Sequence, residues 1–365
     1  MKLANTRLFR VFLVPAAVFQ SVIVGGGYGT GREVVEYVSQ YGAYGGLFGL
    51  VFIVACFSLV LAVSFELSRL YRVYEYRGFI KLLIGRAWIL FELLFVLILL
   101  VVLAVTASAA SSVLEDSFGL NRLVGIALIL VTVVTLNFLG RAMVEKSMAM
   151  WSILLTIVLL AYAAIILVTS GDTIYQVFAA GEVREGWMLS AFQFSLYNIA
   201  IVPVILYCAN GIQTRKEALM SGLFTGFMGV FPGLIFHLTF MAGYPQVIDQ
   251  ELPTYWMIQE MQIPYFLGVY VLVLFAVIVQ TGVGILHGLN ERLDSWYTEL
   301  RGRALSRTTH AAVSGCVLLL SMALASIGIV TLVAKGYGTL AWGFMFVYVI
   351  PVLTIGVYRI VRFRH

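Results

Sequence analysis

Apolar runs of about 20 residues recur along this chain from end to end, and each is long enough to cross a hydrocarbon core of about 30 Å as a helix. That repetition limits the fold before any motif is considered, because lipid offers no partner for exposed amides and carbonyls and only helices and closed barrels satisfy them internally. The composition agrees. Of 365 residues, 61% are hydrophobic and 11% are charged, against about 25% charged in an ordinary soluble domain. The chain reads as an all-α integral membrane protein, one transmembrane unit over 1–365 with no stretch left for a soluble domain.

Ten spans are predicted, at 8–41, 43–70, 87–113, 122–140, 144–170, 187–209, 217–243, 264–290, 309–333 and 338–360. An even number of crossings puts both termini on one side, and basic residues mark the cytoplasmic side. Of the 23 Lys and Arg residues, nineteen fall in alternate segments that include both termini. The other four are Arg122, Arg184 and Lys335 in the opposite segments and Arg32 inside the first span. Both termini are therefore expected in the cytoplasm, with the protein in the cell membrane. The net charge of +5 follows from this topology and does not indicate a nucleic-acid partner. The basic start "MKLANTRLFR" lacks a small-residue cleavage site after its apolar stretch and reads as the retained beginning of span one. Cys56, Cys208 and Cys316 all lie within apolar runs, a pattern of packing residues rather than disulfides or a zinc site.

One span is internally inconsistent. In "VIVGGGYGTGREVVEY", Val22 to Tyr37, five glycines fall at Gly25, Gly26, Gly27, Gly29 and Gly31, with Tyr28 and Thr30 between them. Each Gly costs a helix interior about 1 kcal/mol relative to Ala, so the helix is expected to open there. Non-helical backbone at membrane depth is tolerated only where protein buries it or a wet cavity meets it. A half-helix ending near Val24 would offer carbonyls to a cation, and one starting near Thr30 would offer amides to a carboxylate. Close helix packing through small residues is the alternative use of such a run. No G-x-G-x-x-G register fits it, so a dinucleotide site is excluded.

Transporters built on inverted repeats interrupt corresponding spans of their two halves. With ten spans the partner of span one is span six, "WMLSAFQFSLYNIAIVPVILYCANG", which holds Tyr197 and Asn198 near its middle and Pro203 five residues after Asn198. A break between Asn198 and Pro203 is expected, since proline removes one backbone bond and crowds the preceding turn. The two repeats would cover about 8–170 and 187–360.

The segments "GGGYGTGRE" and "SLYNIAIVP" resemble the uncharacterised bacterial YkvI-like membrane proteins, which belong with the amino acid, polyamine and organocation transporters of LeuT-like fold. The resemblance implies a five-plus-five inverted repeat, a central solute site between spans one and six, and a sodium position completed by span eight. Carried over residue by residue, that position would take the carbonyls of Ile23, Gly26 and Ile278 and the hydroxyl of Thr281. Many sodium-coupled relatives have a second hydroxyl next in span eight; Gly282 stands there instead, one ligand short of a full oxygen shell.

Other polar residues within spans narrow the chemistry. Arg32, Glu33 and Glu36 follow the glycine run, where ionisable groups are costly and mark pathways or pairs. Glu33 and Glu36, three apart, are expected to share a face; they could couple transport to protons or close the outer vestibule together with Arg32. Glu66 and Glu92 have Arg69 and Arg86 nearby, so interfacial pairs are expected. His237 and His287 stand alone, without ligand spacing. The segment from Gly243 to Pro264 should form short helices at the outer surface. No nucleophile, base or metal motif suggests an enzyme, and no cofactor is expected beyond a coupling sodium ion or proton.

The reading is a secondary transporter of a small organic solute, an amino acid or another carboxylate-bearing metabolite, with Gly25 to Gly31, Tyr197 and Asn198 at the binding site. A proton-coupled carrier of an amine or other cation, and a channel or solute sensor on the same scaffold, are the alternatives. The expected partners are the solute and the bilayer; nothing in the sequence sets an oligomeric state.

Overall fold

The computed structural model describes residues 7–139, 141–302 and 307–363. Lys2, Arg303 and Arg364 of the predicted basic set, and the two ends of the chain, lie outside the described residues. Every regular element among the described residues is helical. The chain begins with Phe9–Leu13 and α1 (Val14–Ile23), the single turn α2 (Gly26–Gly29) and α3 (Arg32–Tyr37). It continues through α4 (Ala43–Tyr71), α5 (Tyr76–Ile84), α6 (Trp88–Phe118), α7 (Arg122–Leu139), α8 (Arg141–Thr169) and α9 (Gly171–Ala179). The second half holds α10 (Trp187–Ile199), α11 (Val202–Ile205), α12 (Arg215–Phe240), α13 (Pro253–Glu260), α14 (Pro264–Arg301) and α15 (Arg307–Ala325). Last come α16 (Ile329–Thr331), α17 (Gly338–Phe344) and α18 (Val357–Arg362), joined by π-helical turns into one rod over Ile329–Arg362.

Among the described residues, six helices are long and apolar enough to cross a membrane, or seven if Leu154–Thr169 and Gly171–Ala179, bent by 75° at their junction, count as one. The expected spans at 8–41, 122–140 and 309–333 contain shorter apolar helices, Phe9–Ile23, Arg122–Val133 and Gly315–Ala325. One boundary is corrected. Spans expected at 309–333 and 338–360 leave a connecting segment that holds Lys335, but the turn comes earlier, around Gly328 with φ +95°. Lys335 instead sits within the continuous rod.

Local signals set the ends of these helices. Thr214 accepts a hydrogen bond from the Glu217 amide while the Glu217 carboxylate takes the Thr214 amide, a reciprocal cap that starts α12. Proline at the first turn opens α13 and α14. Gly119, at φ +67°, ends α6.

Packing divides the helices into two groups. α4 lies along both α12 and α10, and α1 lies on α12; separately, α6 packs with α7, α14 and α15. α8 leans on α14, and α17 on α10. The first group is drawn together by glycines on one stripe of α12. A methyl group on Gly222 or Gly226 would collide with the backbone of Ala62 or Ser58, and one on Gly229 would come within 2.7 Å of Phe19. Lipid gives helices no hydrophobic reason to associate, so such close approach is what holds them.

Candidate functional site

The glycine run is not simply unwound. α1 stops at Ile23, and the Gly25 amide bonds the Ile23 carbonyl at 2.8 Å across Val24, a tight three-residue turn. Gly26, Gly27, Tyr28 and Gly29 then make the single turn α2. Gly31 follows with φ +82°, where an added methyl group would strike the Phe240 ring and lie 2.6 Å from Thr254 Oγ1. Only glycine fits both the left-handed backbone and the space. α3 restarts at Arg32, whose amide bonds Thr30 Oγ1 at 3.3 Å.

Much of the backbone in this run is already engaged. The Gly29 amide bonds Gly25 O, and the Gly31 amide bonds Tyr28 O. The Tyr270 hydroxyl donates to Gly29 O at 3.0 Å, and the Thr254 amide donates to Thr30 O at 3.0 Å. Two of the amides expected to await a carboxylate are thus satisfied within the chain. α13 and α14 supply Thr254 and Tyr270, neither of which the sequence singled out.

The charged residues of α3 part company. Glu33 and Glu36, three residues apart, take different partners: Glu36 its i,i+4 neighbour Arg32, and Glu33 a tyrosine of α10. Arg32 reaches Glu36 at 2.6 Å and also donates to the carbonyls of Ile248 and Gln250 at 3.0 and 2.9 Å. It thereby pins α3 to the segment joining α12 and α13. The Tyr197 hydroxyl donates to Glu33 at 2.6 Å, and Tyr37 stands one turn beyond Glu33.

Around Tyr197 the rings crowd together. Tyr337 stacks on it with centroids 4.6 Å apart, while Phe194 and Tyr37 lie at 5.5 and 5.6 Å. The Tyr37 hydroxyl donates to Val333 O at 2.7 Å. Tyr28 is buried against Phe236, its ring centroid 5.7 Å away. Tyr37 could have been found by its i,i+4 spacing from Glu33; Tyr337, about 300 residues away in sequence, carried no local signal. Asn198 is buried and donates to Phe194 O at 3.0 Å. Past it the helix tightens: the Ile201 amide bonds Asn198 O at 3.2 Å, an i to i+3 contact, and α11 begins at Val202.

The residues implied for sodium lie near one another in part. A methyl group added to Gly25 would sit 3.8 Å from Thr281 Oγ1, so the start of the glycine run faces Thr281. That hydroxyl bonds Val277 O at 2.9 Å, Ile278 is buried, and the Ile23 carbonyl already accepts the Gly25 amide. Gly282 has its own reason: a side chain there would come within 2.8 Å of Val133, so α7 leaves no room for a second hydroxyl.

A cavity of about 320 Å³ opens between α1, α8 and α12 and is lined by Gln20, Ser21, Val24, Thr156 and Phe236 among others. It ends at Val24, where α1 breaks. Three other polar residues weighed in the sequence, His237, Glu66 and Glu92, have partners within the protein. His237 lies buried between Ser39 Oγ at 3.0 Å and Ala43 O at 2.8 Å; the His287 side chain lies outside the described residues. Arg69 pairs with Glu66 at 2.8 Å, but Glu92 pairs with Arg292 at 3.2 Å rather than with Arg86.

No protein-family model matches this chain. It is similar to an uncharacterised membrane protein, YkvI of Bacillus subtilis (strain 168), at 23% identity over 292 residues, which is 77% of this chain and 80% of that protein. Among solved structures it resembles Mhp1 in its inward-facing conformation, with a TM-score of 0.65 and 14% identity over 96% of this chain and 77% of that one. It also resembles the Eremococcus coleocola manganese transporter, with a TM-score of 0.55 and 11% identity over 98% and 96% of the two chains. A Na+-coupled sialic acid symporter gives 0.53 and 13% over 95% and 87%. The fold is that of the LeuT-like transporters, and the solved structures that share it are transporters rather than enzymes.

Proposed function

We propose that this protein is a secondary active transporter that carries a small organic solute across the cell membrane by alternating access, with ten spans in a five-plus-five inverted repeat. The carrying observation is the unequal state of the two ends of the glycine run. Beyond it, Arg32 and its carbonyl partners seal α3 to the 246–250 segment; before it, the cavity along α1 reaches Val24. A site closed at one end and approachable from the other is one half of an alternating-access cycle. The two packing groups, one around α4 and α12 and the other around α6 and α14, supply bodies that can rock against each other. α3 and α10 meet through Glu33 and Tyr197, which supports a solute position between the interrupted first and sixth spans.

Under the positive-inside topology the open cavity faces the cytoplasm and both termini lie there. Thiol labelling tests this. In protein lacking Cys56, Cys208 and Cys316, Ser21→Cys should react from the α1 side while Thr254→Cys is protected from the other, and any condition that slows the first should speed the second. Simultaneous reaction of both cysteines from opposite sides would instead describe a channel.

The coupling ion is read from what the site offers. The approach of Gly25 to Thr281 supports a sodium position, but with one hydroxyl the shell would need water. Buried Glu33 supports protons, and with two run amides already bonded, the solute reading shifts toward groups that Glu33 and the rings can hold.

A further inference from the structure

The last rod, Ile329–Arg362, is long and apolar enough to cross a membrane, and Arg359 and Arg362 fall in its final turn. An open basin of about 620 Å³ lies at that end, lined by Tyr71 of α4 and by Thr354, Ile355, Tyr358, Arg359 and Arg362 of the rod. The rod meets its neighbours closely here. A methyl group on Gly356 would lie 3.5 Å from Leu67 of α4 and from Leu83 of α5, and Tyr71 packs edge-on against Phe363 with centroids 5.3 Å apart. Both arginines are set over rings: the Arg359 guanidinium is 5.9 Å from the centre of Tyr71, and that of Arg362 is 4.5 Å from the centre of Tyr358. Neither has a carboxylate. The rod contains no Asp or Glu, the one acid of α4, Glu66, is taken by Arg69, and Glu75 caps the first amides of α5. Among the described residues neither arginine forms an ion pair.

Two guanidiniums that line one basin without a counter-charge call for an anion, and the guanidinium fork matches the oxygens of a phosphate. The surroundings choose its source. Ile355, Tyr358 and Val361 are exposed beside the arginines, and the exposed side chains of Ile350 and Phe346 continue up the rod from them. Such apolar side chains on a membrane-crossing rod belong against acyl chains, which sets the arginines of its last turn at the level of the headgroups. A lipid phosphate is kept at that level by its own tails, whereas a free phosphate ion must be drawn from dilute solution. We propose that this basin binds the headgroup of an anionic phospholipid, its phosphate held by Arg359 and Arg362 and an acyl chain running along Ile355 and Ile350. Such a lipid would touch α4 through Tyr71 as well as the last rod, and so fasten the ends of two helices from opposite halves of the chain. Under the topology proposed above the lipid comes from the inner leaflet; the chemistry of the basin does not depend on that topology.

The test uses full-length, delipidated protein in neutral detergent, titrated with dioleoylphosphatidylglycerol; dioleoylphosphatidylcholine, inorganic phosphate and glycerol 3-phosphate are the comparisons. Phosphatidylglycerol should raise the melting temperature and saturate, and the other three should do so only weakly at the same concentrations. Arg359→Gln and Arg362→Gln should each weaken phosphatidylglycerol binding about fivefold, the scale of one basic residue at an anionic lipid surface. Arg359→Lys and Arg362→Lys, which keep the charge, should retain most of the affinity and guard against a folding failure in the glutamine variants. Replacing both Arg215 and Lys216, exposed at the start of α12 and outside the basin, with Gln removes the same charge elsewhere and should leave binding unchanged. No stabilisation by phosphatidylglycerol, or equal stabilisation by phosphatidylcholine, overturns the proposal. Glycerol 3-phosphate as effective as the lipid would make the basin a site for free phosphates, and an equal loss in the Arg215 and Lys216 variant would reduce it to diffuse charge; either result also overturns it. Binding in detergent involves no flux, so its failure would leave the transport reading standing, and a protein that moved no solute would still hold the lipid.

Discussion

At the residue scale, the site depends on positions where one atom more or less decides the geometry. Gly31 combines a positive φ with contact on Phe240 and Thr254. Gly31→Ala should therefore destabilise the protein by about 1–3 kcal/mol, read as a lower melting temperature in detergent, whereas Gly268→Ala, with open space around it, should change little. Glu182 lies in the segment between α9 and α10, where the Tyr244 hydroxyl and then the Arg184 guanidinium hold its carboxyl below the usual carboxylate range. A depressed folded value means that the stabilisation is present above the unfolded value, about 4, and is lost as pH falls through the folded one. Protection of the amides over residues 181–186, taken relative to the intrinsic exchange rate at each pH, should fall on acidification through that range, and in Glu182→Gln it should be low at every pH. The glycine density that exposed this site in the sequence said that the helix must break; it could not say that Tyr270 and Thr254 would take up the released carbonyls. Those partners come from α14 and α13, and no local pattern points to them.

At the element scale, α3 carries two sets of contacts, Arg32 with Glu36 and the Ile248 and Gln250 carbonyls, and Glu33 with Tyr197. Spacing alone put Glu33 and Glu36 together, but on a helix the nearer competitor for Glu36 is Arg32, four residues back, and the nearer neighbour of Glu33 is a tyrosine. In the proposed cycle the Arg32 contacts are the closure. Hydrogen bonds to a charged group contribute about 1.5–3 kcal/mol, so Arg32→Gln should raise the labelling rate of Thr254→Cys from the sealed side at least about tenfold; an unchanged rate would mean that the α13 segment is held by something else. Apolar length was legible, because it is a property of each segment alone: among the described residues six helices, or seven with the bent pair, are long and apolar enough to cross a membrane, against ten spans expected. The last turn was not: the expected spans put Lys335 in a connecting segment, yet a π-helical turn carries it within the rod, and the bend falls at Gly328. The glycine stripe of α12 from Gly222 to Gly233 was not singled out in the sequence, and no local pattern there points to its partner helix.

At the scale of the whole molecule, the two packing groups, the interrupted first segment and the difference between its two ends make one account: a carrier whose site opens to one side at a time. Uptake into proteoliposomes tests it most directly, with a solute that stabilises the purified protein, under an imposed pH gradient and separately under a sodium gradient, in wild type, Glu33→Gln and Thr281→Ala. The account predicts accumulation above the external concentration under at least one gradient, abolished in Glu33→Gln where the pH gradient drives it and in Thr281→Ala where the sodium gradient does. Flux that only equalises concentrations under both gradients would contradict it.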